Sequence, residues 1–474
     1  MTKNKTESIK EYYNYMAPVR DRWKFRARHY HFLIQDFFRF IIPENSSVIE
    51  IGSGTGDLLN SVNPSKGLGI DIAENLSAIA SQKYPHLKFV SQDAQKPKLQ
   101  GEFDYVILSD VIGNLEDVQK CFEGLHQVTN EKTRVIVTSH NHLWEWMIKL
   151  LEFLHLKMRQ PEQNWLSKQD IKNLLYISRF EIVKQGRMIL FPFYIPLIST
   201  IFNKYLARLP IIRWFCLTNY FIARPQPSPY SDKEYSVSVI IPARNEEGNI
   251  ESAVTRIPKL GSKTEIIFIE GGSKDNTQAE IKRVIEKYKG KKDITFIDQG
   301  EGVGKGDAVR KGFAQATGDI LMILDADLTV PPEDLPKFYQ SIRTKQGEFV
   351  MGSRLVYPME KEAMRFLNVL GNKFFSWSFS WILDQPIKDT LCGTKVIFKK
   401  DYETLAKNRS YFGDFDPFGD YDLIFGASKL NLKILEIPIY YHAREYGETN
   451  ISRFRHGLLL LKMTLFAARK IKFK

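Results

Sequence analysis

Cysteine is scarce: three residues in a chain of 474, Cys121, Cys216 and Cys392, too widely spread for a metal spacing or a disulfide framework. That scarcity excludes a small disulfide-stapled secreted scaffold and suits a reducing cytoplasm. Uninterrupted apolar runs of about 18 residues are also missing, which argues against a spanning helix. The first residues, MTKNKTESIKEYYNYM, are polar and aromatic and do not read as a signal peptide. Blocks of consecutive Lys or Arg are absent, so nothing resembles a nucleic-acid-binding tail. The basic residues are instead dispersed, 67 Lys and Arg against 55 Asp and Glu, for a net charge of +12. Such a balance points to phosphorylated substrates or an anionic membrane face rather than nucleic acid. With 43% hydrophobic and 26% charged residues, the chain is globular and long enough for two or three domains.

The most informative stretch is GDILMILDADLTVPPEDL, residues 318–335. It predicts a buried strand from Ile320 to Leu324 that ends in two carboxylates and breaks at Pro331 and Pro332. Asp325 and Asp327 are two apart on extended backbone, so their side chains leave the same face. A hard divalent cation with oxygen ligands is the natural partner for such a pair, and a solvated turn is the plain alternative. Open α/β sheets place their ligands at strand carboxyl ends, where this pair lies.

Along the chain, residues 1–40 carry apolar residues at helical spacing and predict one or two helices, with packing accounting for most of their aromatics. SVIEIGSGTGDLL then predicts a strand, Val48 to Ile51, running into Gly52, Gly54 and Gly56 and a helix. Glycines there let the backbone turn tightly and approach a ligand. The spacing is G-x-G-x-G, not the G-x-G-x-x-G of dinucleotide-binding proteins. Asp71 ends the next strand, where a carboxylate can accept both hydroxyls of a ribose; Asp93 and Asp110 end a third and a fourth. HNHLWEW places His140 and His142 at a strand exit, either as a base or as structural groups. Residues 188–224 are strongly apolar but interrupted by Pro192, Pro196, Pro210, Lys204, Arg208 and Arg213. They read as a cap on the first domain or a surface lying on a membrane interface. The polar, Pro-rich PQPSPYSDKE, residues 225–234, marks the boundary.

Beyond it, SVSVIIPARNEEGNIESAV predicts a strand and then a helix from near Glu246. TEIIFIEGGSKDNT repeats that logic, with Glu270 at the strand end and Ser273 and Asp275 in the turn. GVGKGDAVRKGFAQATGD opens a helix whose Gly-rich entry and Lys305 suit a diphosphate. The βαβα order predicts a parallel-rich sheet.

Over residues 40 to 185 the succession of motifs resembles the class I S-adenosylmethionine-dependent methyltransferases. The resemblance implies Glu50, Gly52, Gly54 and Gly56 around the methionine end of the cofactor, Asp71 on its ribose, Asp93 near the adenine and Asp110 at the mouth of the transfer site. Gly113 and Asn114 stand where many members carry Glu-His. From about Ser236 to Ile451 the chain resembles family 2 glycosyltransferases of the GT-A fold, in the polyprenyl-phosphate (dolichyl-phosphate mannose synthase-like) branch. This implies a nucleotide-sugar donor held by Pro242, Ala243, Arg244, Glu246, Glu270, Ser273, Asp275 and Lys305. It further implies Mg²⁺ or Mn²⁺ on Asp325 and Asp327. Further matches carry Arg354, Arg365, Asp389, Lys395 and Arg444, with Arg354 and Arg365 expected near the acceptor phosphate. Glu270 stands where Asp is commoner, Thr329 where Gln or His often occurs, and Asn450 where Lys is usual.

The expectation is therefore an α/β chain of two Rossmann-like domains: 1–224 methyltransferase-like with an apolar cap, 225–235 linker, and 236–474 glycosyltransferase. Its chemistry would be inverting, metal-dependent sugar transfer to a polyprenyl phosphate, with methyl transfer in the same pathway. Catalytic roles would fall to Asp325, Asp327, Arg354, Arg365 and Asp389. If the acceptor is a hydroxyl, Asp389, Asp416, Asp420 and Asp422 are the candidate bases, and the first domain is then a docking or regulatory module. The segment 365–387, the basic carboxyl-terminal tail and the overall charge predict peripheral contact with an anionic cytoplasmic leaflet.

Overall fold

The computed structural model describes residues 5–96, 99–228, 230, 232–300, 304–357, 366–408, 419–440, 446 and 453–474; for 366–370, 420 and 453–456 it describes the backbone alone. The expected sites Arg365, Arg444, Asp416 and Asn450 lie outside the described residues, as does the side chain of Asp420. The chain divides into two compact units, Met1–Gln226 and Pro227–Lys472.

The first unit begins with the helices Lys5–Arg26 and Arg28–Ile41. Its seven strands are β1 (Ser47–Ile51), β2 (Lys66–Asp71), β3 (Lys88–Ser91), β4 (Tyr105–Ser109), β5 (Arg134–His140), β6 (Phe180–Met188) and β7 (Thr218–Pro225). They form one sheet in the order β3-β2-β1-β4-β5-β7-β6. All pairings are parallel except those of β7, which runs antiparallel to both β5 and β6. Strand alternation fills both faces. Ile49, Ile51, Val106 and Leu108 pack with Phe122, Ile171 and Leu175 on one side. Val48, Ile107, Ile136 and Ile222 pack with Phe38 and Leu59 on the other. The strand order reverses between β1 and β4, and the glycine-rich turn leaves β1 at that point.

The apolar stretch 188–224 is not one cap. Its last residues, TNYFIARP, are the antiparallel strand β7, buried within the sheet. There Arg224 is buried and its Nε donates to Glu181 Oε1 at 2.7 Å. The intervening residues form short helical turns between Ile198 and Phe215 that leave many large side chains exposed.

The second unit contains β8 (Val237–Ala243), β9 (Thr264–Glu270), β10 (Asp293–Asp298), β11 (Ile320–Ile323), β12 (Phe349–Ser353), β13 (Lys395–Phe398) and β14 (Ile434–Pro438). The sheet order is β10-β9-β8-β11-β13-β12-β14. The first four are mutually parallel, β13 is antiparallel to β11 and β12, and β14 is parallel to β12. Val239, Ile241, Phe268, Met322 and Leu324 meet Ile281, Val284, Phe338 and Ile342 in its core. Again the order reverses beside the first strand, between β8 and β11, so the carboxyl ends of those strands open a crevice. The helix expected near Glu246 starts as a short tight turn at Glu247 and becomes α-helical from Ile250 to Arg256. Among the described residues no helix is long and apolar enough to cross a membrane.

Candidate active sites

In the first unit, the N–H groups of Gly52 and Ser53 both donate to Ile70 O, at 2.7 and 2.9 Å, which folds the turn across the end of β2. Gly52, Gly54 and Gly56 all have φ between 53° and 80°, conformations that favour glycine. A Cβ on Gly52 would meet Val111 at 2.5 Å and one on Gly56 the Phe89 ring at 2.6 Å, whereas at Gly54 nothing lies within 4 Å. The turn is thus packed from below and open at its middle.

Asp71 lines this opening. Its two oxygens accept from Gly54 N (2.8 Å) and Ala73 N (2.9 Å). Burial pushes its pKa above the ordinary range even against those donors. Glu50 is buried beneath the turn and accepts from Leu59 N at 3.0 Å. Burial pushes its carboxyl up to about 8, despite Lys24 and the Leu59 N–H pulling the other way. Asp93, in the loop after β3, accepts from Gln95 N at 2.9 Å.

Asp110 follows β4 with φ 53°. It accepts from Tyr30 Oη at 2.5 Å and from Thr138 Oγ1 at 3.2 Å, and His140 Nδ1 lies 3.4 Å away. Burial would raise its pKa, but His140, Tyr30 and Thr138 outweigh that and hold it at about 2. Gly113, Ser139, Gln163 and Trp165 line the same cleft. The Ser139 hydroxyl, buried there, has no hydrogen-bond partner among the described residues. Asn114 donates to Tyr13 Oη at 3.0 Å and accepts from Gln163 Nε2 at 3.2 Å, tying the first helix and the 160s loop to the cleft. His142 is exposed and does not join it.

In the second unit, β8 and β9 end in interlocked turns. Asn245 N donates to Ser273 Oγ at 2.9 Å and Glu246 N to Thr277 Oγ1 at 2.9 Å. Ser273 N donates to Glu270 Oε1 at 2.6 Å, and Glu247 N to Asp275 Oδ2 at 3.3 Å. Pro242 and Ala243 close β8, with Arg244 exposed beyond them.

At the end of β11, Lys305 Nζ stands 2.5 Å from Asp325 Oδ1. Burial opposes ionisation of Asp325, yet Lys305, with Lys395 and Arg354 behind it, holds its pKa below the ordinary carboxylate value. Leu328 adopts φ 50°, turning the chain so that Thr329 Oγ1 donates to Asp327 Oδ1 at 2.8 Å. Arg354 Nε and Nη2 donate to the two oxygens of Asp389 at 2.7 and 2.8 Å, and Arg354 N adds a third bond at 3.0 Å. Asp389 is fully buried; burial raises its pKa, but Arg354 wins and keeps it low. For the expectation of Asp389 as a base this geometry is unfavourable, since both of its oxygens are engaged by one guanidinium. Its place is that of Arg354's counter-ion. Among the described residues no three His, Cys, Asp or Glu side chains group to hold a metal.

Two features escaped the sequence reading. A Cβ on Gly393 would fall 1.9 Å from Asp325 Oδ2 and 2.6 Å from Lys305 Nζ, so this backbone presses directly on the ion pair. The CGTK motif carried that signal. The Asp110–His140 contact joins residues 30 apart, and no local pattern announces it.

Residues 238–404 match the family profile for glycosyl transferase family 2, and residues 22–185 that for a methyltransferase domain. A dolichol-phosphate mannosyltransferase of Pyrococcus furiosus is 29% identical over 247 residues, 50% of this chain and 67% of that protein. The Saccharomyces cerevisiae dolichol-phosphate mannosyltransferase is 34% identical over 122 residues, 25% of this chain and 44% of its own length. A Thermotoga maritima S-adenosylmethionine-dependent methyltransferase structure aligns with 46% of this chain and 99% of its own, at a TM-score of 0.37 and 14% identity.

Glu50 makes a pH prediction. Its folded pKa of about 8 lies above its ordinary 4.5, so the stability its neutral form contributes is complete below 4.5 and is lost as pH rises through 8. Urea unfolding followed from pH 5 to 9 should show the first unit weakening with pH, and Glu50→Gln should flatten that slope. An unchanged slope in Glu50→Gln refutes the assignment.

Proposed function

We propose, on the premise that this chain joins a methyltransferase domain to a family 2 glycosyltransferase domain, that its second unit transfers a sugar from a nucleotide-sugar to a polyprenyl phosphate, with inversion at the anomeric carbon. The carrying observation is the cluster at the end of β11, where Lys305 meets Asp325 and Asp327 follows two residues on. The names of the two relatives above support a lipid-phosphate acceptor.

In this reading the interlocked turns, from Pro242, Ala243, Arg244 and Glu246 to Glu270, Ser273 and Asp275, receive the nucleotide, and Lys305 faces the diphosphate. Asp325 and Asp327 would hold Mg²⁺ or Mn²⁺. Two carboxylates suffice for a hard cation that completes its shell with phosphate oxygens and water, so the donor set fits. Bound there, the ion neutralises charge on the departing diphosphate. An acceptor phosphate oxygen attacks C1 as the bond from C1 to the diphosphate oxygen breaks. That oxygen is already anionic and needs no base. Of the four candidate bases for a hydroxyl acceptor, Asp389 is spent on Arg354 and Asp422 is buried, while Asp416 and the side chain of Asp420 lie outside the described residues. Arg354 is fixed by Asp389 and serves to position the acceptor, a role the resemblance shares with Arg365.

Methyl transfer in the same pathway falls to the first unit. The opening at Gly54, with Asp71 beside it, suits S-adenosylmethionine, whose sulfonium supplies the methyl group. Glu50, Gly52 and Gly56 support that turn, and Asp93 stands on the adenine side. Asp110 holds His140 by Nδ1, which leaves Nε2 to accept the proton of an acceptor hydroxyl.

Short-chain polyprenyl phosphate, a panel of nucleotide-sugars and Mg²⁺ or Mn²⁺ should yield a lipid-extractable sugar. Chelation or Asp327→Ala should cut the rate on the order of a hundredfold or more; full transfer by Asp327→Ala sinks the metal assignment. Gly393→Ala should displace Asp325 and cost a similar factor, on the order of a hundredfold, with a melting curve close to wild type. Wild-type turnover in that variant would show the close approach to be dispensable. For the first unit, calorimetry should show 1:1 binding of S-adenosylmethionine, lost in Gly54→Arg and kept in His140→Ala. His140→Ala should no longer release S-adenosylhomocysteine in the presence of the glycolipid product. Absence of binding by the wild type would leave the unit a docking module.

A further inference from the structure

The residues between β6 and β7, which the sequence leaves open as a cap or a surface on a membrane interface, expose Phe193, Tyr194, Leu197, Ile211, Trp214 and Phe215, with Leu197 and Ile211 at 78% and 79%. Isolated exposed apolar residues are ordinary, but a contiguous stretch of this kind marks an interaction surface. It is also built, not slack. Asn203 is buried and accepts from Leu190 N and Phe191 N at 2.9 Å each while donating to Phe191 O at 2.7 Å. At the other end Asn141 Nδ2 donates to Cys216 O at 3.0 Å and Trp144 Nε1 to Phe215 O at 2.9 Å. Tyr194 rests edge-on against His29 of the second helix, 5.4 Å between ring centres. Polar staples therefore hold the backbone to the domain and turn the apolar side chains outward.

The segment itself carries charge of one sign. No aspartate or glutamate occurs between Glu181 and Asp232, while Lys204, Arg208 and Arg213 interrupt the apolar residues. A segment whose aromatic and aliphatic side chains are interspersed with cations, and which contributes no anion of its own, matches the interfacial zone of a bilayer with anionic headgroups. A partner protein would not require the acidic residues to be missing.

Topology sets which way the surface faces. Because β5 and β6 are both antiparallel to β7, they are parallel to each other, and Thr218 pairs with both His140 and Met188. The insert thus leaves the sheet at the end that carries His140 and Asp110.

We infer that residues 190–216 form a membrane-docking element that seats the carboxyl end of the first sheet on an anionic bilayer surface. The docking goes beyond the two transfer reactions and depends on neither.

The full-length protein should be sedimented with phosphatidylcholine vesicles with and without phosphatidylglycerol, in the absence of polyprenyl phosphate, nucleotide-sugar and S-adenosylmethionine. It should bind the anionic vesicles and be released by salt. Leu197→Asp with Ile211→Asp should weaken binding roughly a hundredfold. Lys204→Glu, which removes no apolar contact, should weaken it roughly fivefold or more. Both variants should keep the wild-type circular dichroism and the wild-type glycosyl transfer to short-chain polyprenyl phosphate in detergent. Vesicle binding by the double variant equal to wild type overturns the inference. So does a wild type that ignores vesicles, including one that buries this surface in a dimer broken by the same substitutions.

Discussion

Burial opposes ionisation of Asp325, opposite charge outweighs it, and the second unit's site depends on that balance. Lys305 supplies the nearest compensating charge, at 2.5 Å, with Lys395 and Arg354 adding to the field. The contact requires a backbone with no side chain beside it, which explains glycine at 393. Asp389 likewise supplies the opposite charge to Arg354, here in a buried place, through two parallel hydrogen bonds that also fix the guanidinium's orientation. Removing either member of such a pair strands its partner, so these charges hold one another in place as a set.

The first unit meets the same desolvation problem in three ways within one crevice. Glu50 stays protonated near neutral pH, since Lys24 and one N–H do not offset its burial. Asp71 is served by two backbone N–H groups that the glycine turn and the following residues aim at it. Asp110 is held ionised by Tyr30, Thr138 and His140. Carboxylates with such different neighbours differ in character: a neutral support, an acceptor beside the opening at Gly54, and an anion next to an imidazole.

Much of this was legible in the sequence because it is local. The glycine turn, the aspartates at strand ends and the Asp325–Asp327 spacing each reside in a dozen residues, and the alternation of strands and helices gave both sheets. What was not legible depends on distance in the chain. The Asp110–His140 and Arg354–Asp389 contacts join residues 30 and 35 positions apart and need the sheet register to bring them together. The strand β7 was hidden for a different reason: TNYFIARP is as apolar as the insert before it, so composition marks no boundary, and only the antiparallel pairing with β5 and β6 separates them. The departure at Gly113 and Asn114 likewise acquired a meaning only in three dimensions, where Asn114 links Tyr13 to Gln163.

The insert bears on what the methyl acceptor can be. A surface seated in the headgroup region brings the cleft of Asp110 and His140 to that depth, since both leave the sheet at one end. A soluble acceptor would gain nothing from this. A lipid-linked sugar would gain a great deal, because it is confined to the same plane as the docked enzyme. The product proposed for the second unit is such a molecule, and it remains in the membrane after release. On the proposed reading, a chain that carries both activities would raise the local concentration of that product around the first unit. If the inferred docking holds, confinement to the bilayer plane would give the fusion of the two domains a physical rationale.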